Sequence, residues 1–190
     1  MKSDLDRKTV LADAAIDAIG EDGLRGLTHR AVELRAGLPP GTCSYHFPTR
    51  HALLAAVLSR IAGLEQDEIE RFGAGMLSPD MRLDTLVDAA TATLAYWLGP
   101  ARTRSRARLL LELDPPSREL TASTVDTVTA GFVELATIVT GDEERARLVV
   151  ALIDGLVLDE LIHGAVPVDV ERLRPKVAAV AALALPPAGG

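Results

Sequence analysis

Apolar residues recur at three- and four-residue intervals along almost the whole chain, the spacing of helices with one buried face, so the pattern predicts an all-α protein. Ser3 or Asp4 can cap a first helix reaching about Ile19 or Gly20, with Leu11, Ala14, Ala15, Ala18 and Ile19 as its inward stripe. The turn-like EDGLRG follows, then two short helices, about 29–36 and 40–45, and a long one opened by Thr49 and closed near FGAGMLSPD. Further helices are expected over 79–98, 101–113, 117–140, 142–163 and 168–185, separated by Gly99-Pro100, Asp114-Pro115-Pro116 and Gly141. No stretch alternates as a strand would, and no repeat is present.

The most informative stretch is 28–50. Thr28 precedes HRAVELRA, and its hydroxyl can accept from an orphan N–H of the first turn. Ala31, Val32 and Leu34 are expected inside and His29, Arg30, Glu33 and Arg35 outside. Gly37 ends the helix because glycine accepts the left-handed conformation of a helix C-terminus. The next element, PPGTCSYHF, has little to bury except Cys43 and Phe47 and displays Thr42, Ser44, Tyr45 and His46. A short helix with a polar face suits a DNA major groove. Gly41 lets the backbone approach a phosphate closely, and Arg50, which opposes the dipole of the helix it opens, would be rewarded by one. Leu27, Val32, Leu38, Phe47, Leu53 and Leu54 complete a small three-helix core.

This helix-turn-helix resembles the DNA-binding domain of the TetR family of bacterial transcriptional regulators, in Thr28, Ala36, Gly37, Leu38, Gly41, Thr42, Tyr45, His46, Phe47 and Arg50. The resemblance is strong over about the first 60 residues. It implies that His29, Arg30, Gly41, Thr42 and Ser44 face the groove and that Thr28, Tyr45, His46 and Arg50 contact phosphates. It further implies a homodimer on a double-stranded, palindromic operator and a small-molecule effector bound in the second domain. Cys43, Ser44 and Arg50 depart from the common pattern; Arg50 keeps the cation and adds a bidentate fork.

Charge sharpens this division. The chain carries −7 overall, but residues 1–60 hold eight Lys/Arg against seven Asp/Glu, a net +1, and the remainder holds 12 against 20, a net −8. Hydrophobic residues make up 48% without an apolar run long enough for a bilayer, and MKSDLDRKTV lacks the apolar core of a secretory signal; a soluble, cytoplasmic protein is expected. The single cysteine excludes an internal disulfide. Cys43 and His46 lack an orienting acid, so small core packing explains Cys43 better than nucleophilic catalysis. His46 with His51, and His163 with Asp159 and Glu160, fall short of a closed zinc site, and no phosphate-binding loop is present. No cofactor and no enzymatic activity are expected. Arg102, Arg104, Arg106 and Arg108 alternate, so they do not share a helix face and are read as solvated or acid-paired.

Residues 1–50 are thus expected to form the DNA-binding domain, 51–185 an effector-binding and dimerisation domain, and 186–190 a disordered tail. Tyr96, Trp97, Glu112, Thr124, Thr127, Phe132 and Asp159 are the groups most able to line an effector pocket. The helix 142–163 is apolar on more than one side, which points to burial on more than one side. Val149, Ile153, Leu156, Leu173, Val177 and Val180 are the expected subunit interface, matching the paired C-terminal helices of the family the motif resembles. The resulting reading is a ligand-responsive regulator, a repressor. The competing one is a helical ligand-binding or interaction module whose helix-turn-helix no longer reads DNA.

Overall fold

The computed structural model describes residues 2–76 and 82–184, without the side chains of 2–5, 72, 74–76, 116, 118–128 and 184. The described residues form nine helices and no strand: α1 (Lys2–Asp22), α2 (His29–Ala36), α3 (Thr42–His46), α4 (Arg50–Met76), α5 (Leu83–Leu98), α6 (Arg102–Leu113), α7 (Pro115–Thr140), α8 (Glu143–His163) and α9 (Val170–Ala184). No helix among them is long and apolar enough to cross a membrane. Met81 of the expected 79–98 helix and the expected tail 186–190 lie outside the described residues. The chain divides into two compact units, Met1–Leu64 with Thr103–Val125, and Glu65–Arg102 with Asp126–Gly190.

In the first unit the α1 stripe of Leu11, Ala14, Ala15 and Ile19 packs with Leu27, Val32, Cys43, Phe47, Leu53, Leu54, Val57 and Ile61. Burial of such side chains contributes roughly 1.5–3 kcal/mol each and holds the short helices, which could not persist alone. Ala107 and Leu111 of α6 join this core. Their contribution has a local cause at Gly20, where an added Cβ would lie 2.1 Å from the Thr103 carbonyl oxygen. Only a glycine allows α6 to start there. Arg60 on α4 grips Asp13 on α1 with Nε–H at 2.7 Å and a second donor at 3.2 Å.

The second unit is built on Val87, Leu94, Leu98, Leu173 and Val177, with Ile153, Leu156, Val157 and Leu161 packed against them. Leu173 and Val177 are therefore core of this unit, 1% exposed each, instead of the subunit surface expected of them. Asp142 caps α8 by accepting from the Arg145 amide at 2.7 Å. Arg174 on α9 pairs with Asp88 on α5 at 2.8 Å.

Candidate nucleic-acid interface

The helix-turn-helix is fixed by three local devices. Thr28 has extended backbone, and its Oγ accepts from the Ala31 amide at 3.1 Å, which starts α2. Gly37, at φ 63°, turns the chain out of α2, and the Leu38 amide closes back on the Glu33 carbonyl at 3.0 Å. Thr49 opens α4 by accepting from the Ala52 amide at 3.1 Å. Each is a short-range preference of the residue type, a hydroxyl reaching an amide three residues on or a glycine taking a positive φ, which is why each is visible in the sequence.

The orientation of α2 departs from expectation. Its inward stripe is His29, Val32, Glu33 and Ala36, one helical face at i, i+3, i+4 and i+7, and Leu34 is 82% exposed. Two of the four inward residues are polar because this face meets the backbone of α3. Glu33 Oε1 accepts the Cys43 N–H at 2.9 Å, and His29 Nε2–H donates to the Phe47 carbonyl at 2.7 Å. His29, expected toward the groove, is engaged at the end of α3. Sequence reasoning missed Glu33 because a carboxylate in HRAVELRA reads as solvated.

Thr28, Arg30, Gly41, Ser44, Tyr45 and Arg50 are exposed, Thr42 and His46 half-buried. Arg30 has no hydrogen-bond partner among the described residues, and Tyr45, at 80% exposure, stacks edge-on against His46 with ring centroids 5.0 Å apart. The Thr42 and Ser44 hydroxyls donate to the carbonyls of Pro39 at 2.7 Å and Gly41 at 3.1 Å. The Gly41 backbone, at φ 88°, is open to solvent with nothing within 4 Å of a built Cβ. Arg50 sends one guanidinium nitrogen to the Leu27 carbonyl and another to that of Leu24 at 2.6 Å, which ties the α1–α2 turn to α4. A guanidinium has five N–H donors, so others remain for a phosphate. Burial pushes the Cys43 thiol up to about 11, with a smaller contribution from the Glu33 charge. It is a core side chain, not a thiolate.

The residues expected around an effector are only partly gathered. Trp97 and Phe132 meet edge-to-face at 5.6 Å in the second unit. Trp97 Nε1–H donates at 2.8 Å to Glu68, a 1% exposed carboxylate that the polar run EQDEIER concealed. Tyr96 is half-buried on α5. Glu112 belongs to the first unit and pairs with Arg108 at 2.7 Å along α6. Asp159 is on the exposed side of α8, held below the usual carboxylate range by hydrogen bonds from Lys176 and His163. The Thr124 and Thr127 side chains lie outside the described ones. Of the remaining interface residues, Val149, Ile153, Leu156 and Val180 are partly buried. Among the described residues no three His, Cys, Asp or Glu assemble to hold a metal.

A capped helix, a glycine turn and a short second helix with an exposed polar face, in a chain whose second unit is also all-helical, are the features of a helix-turn-helix protein. Residues 11–57 match the model of the bacterial regulatory proteins of the tetR family. The HTH-type transcriptional regulator BetI of Rhizobium meliloti (strain 1021) is 26% identical over 176 residues, 87% of this chain and 82% of that one. Among solved structures, the multidrug binding protein EbrR in complex with imidazole is 29% identical, with 96% and 97% of the two chains covered and a TM-score of 0.67. A TetR-family member from Streptomyces coelicolor A3 is also 29% identical, with 92% and 97% covered and a TM-score of 0.69. Residues 11–57 thus carry the DNA-binding segment of the tetR family, and over most of its length the chain is similar to transcriptional regulators of that family.

Proposed function

We propose that this regulator is a cytoplasmic repressor that binds a palindromic operator as a homodimer and is released by a small molecule. The observation that carries the DNA reading is the outward display of Arg30, Ser44 and Tyr45 beside the open Gly41 backbone. Arg30 can read the O6/N7 edge of guanine, and Gly41 and Arg50 can meet phosphates. Support for pairing comes from α8, where the exposed residues Leu148, Ala151, Gly155, Leu158 and Ile162 recur at three and four, the seam of two packed helices. Two-fold symmetry in the protein calls for two half-sites in the DNA.

For the effector, the support is the Trp97–Phe132 pair with Glu68 behind it, together with the relative EbrR, solved in complexes with ethidium and with imidazole. A planar nitrogenous molecule is the ligand class that this support favours. Selection of duplexes from random DNA, followed by a salt titration on the winner, tests the reading. An enriched palindrome with steep salt dependence supports it; no enrichment by the ligand-free protein refutes it and favours the interaction-module reading, which the internal bonds of His29 and Arg50 make specific. Trp97 is the single tryptophan, so quenching of its emission by ethidium tests the effector site directly.

A further inference from the structure

The short helix α3 has few means of holding its own orientation. It spans five residues, its N-cap is Gly41, which has no side chain to offer, and only Cys43 and Phe47 bury side chains from this stretch. Two anchors one turn apart form a line about which a helix can roll. The hydroxyls of Thr42 and Ser44 do not restrain it from outside, because both donate to carbonyls of its own turn.

The restraint comes from α2. His29 and Glu33 lie four residues apart on its inward face, and Cys43 and Phe47 lie four apart on α3 and its C-cap. The two spacings match with the direction reversed. Glu33 Oε1 receives the Cys43 amide at 2.9 Å at the start of α3, and His29 Nε2–H reaches the Phe47 carbonyl at 2.7 Å at its end. Glu33 is 7% exposed, and a buried carboxylate is costly unless hydrogen-bonded, so this contact is a directional restraint that apolar packing would not provide.

We propose that His29 and Glu33 act as a two-point clamp that sets the roll and tilt of α3, and through them the register in which its exposed side chains meet base edges. They are positioning residues; the proposal rests on the reading that α3 faces DNA. A released clamp leaves the phosphate contacts of Gly41 and Arg50 in place and misaligns the base contacts, so specific binding falls and non-specific binding stays.

The test compares Glu33→Ala, Glu33→Gln and His29→Ala with the wild type on two probes, the duplex that the wild type selects from random DNA and a scrambled duplex of equal length. Glu33→Ala and His29→Ala should each lose about tenfold or more on the selected duplex. Affinity for the scrambled duplex and the salt slope should not change. Glu33→Gln, which keeps an acceptor oxygen, should recover most of the loss. Amide hydrogen exchange gives a readout free of DNA: the Cys43 N–H should exchange at least tenfold faster in Glu33→Ala than in Glu33→Gln. The clamp is overturned if Glu33→Ala binds the selected duplex as the wild type does, if both duplexes are lost by one factor, or if Cys43 exchange is unchanged. A wild type that selects no duplex removes the DNA reading, and the exchange rates then decide the clamp alone.

Discussion

Arg50 is where folding and the proposed DNA binding would draw on one side chain, so its replacement separates the two. The guanidinium bridges the carbonyls of Leu24 and Leu27 from the first turn of α4. A hydrogen bond from a charged donor contributes about 1.5–3 kcal/mol where water is excluded. Arg50 is exposed, and competition with solvent reduces the pair together to about 1–2 kcal/mol. For a chain of this size each kcal/mol moves Tm by about 2–4 °C. Arg50→Ala should therefore unfold a few degrees earlier by far-UV circular dichroism, with a lower urea midpoint and an unchanged m-value. Arg50→Lys keeps the charge but has a single ammonium nitrogen in place of the fork that spans two carbonyls, so it should lose about half as much. On DNA the order changes: Arg50→Ala should reduce the magnitude of the salt slope by about one for all sequences, and Arg50→Lys should retain it. An Arg50→Ala variant with wild-type Tm would refute the bridging account. One that is destabilised with an unaltered salt slope would confine Arg50 to holding the turn.

Three further expectations follow from other parts of the molecule. Cys43 has an ordinary thiol value of 9.0 when unfolded and about 11 when folded, so above pH 9 the unfolded state binds fewer protons. Stability should fall as pH rises through 9 to 11, and Cys43→Ser should remove that part of the slope in urea titrations; an identical slope in the variant would reject it. Leu158→Glu places a charge in the exposed α8 seam. At about 2 kcal/mol per protomer, counted twice by symmetry, it should weaken a homodimer about 10³-fold by sedimentation, and an unaltered association constant would move the interface elsewhere. Gly20→Ala sets a Cβ against the Thr103 carbonyl, where backbone cannot yield cheaply, so it should destabilise the first unit by about 1–3 kcal/mol in urea unfolding; wild-type stability would show that α6 shifts freely.

What the chain declares by itself is what neighbours in sequence decide. Thr28 and Thr49 cap helices, and Gly37 ends one, because a hydroxyl reaches an amide three residues on and glycine accepts a positive φ without a partner elsewhere. The Asp142 start of α8, the turns that separate the helices and the helix-turn-helix itself are legible on the same grounds. Side-chain orientation on the shortest helix is not. Leu34 looks like core and Glu33 like surface until α3 supplies an amide for the carboxylate, and nothing within the eight residues of α2 announces that partner.

The same limit governs the second unit. α8 is apolar around much of its circumference, so periodicity alone does not say which face meets α5 and α9. Contact with those helices draws in Ile153, Leu156 and Val157, buries Leu173 and Val177, and leaves Leu148, Leu158 and Ile162 outside. Glu68 resembles its solvated neighbours until Trp97, 29 positions away, donates to it. Local hydrogen bonds and backbone freedom are properties of a few consecutive residues, whereas burial is a property of what the rest of the chain brings to a surface, and only the tertiary structure settles it.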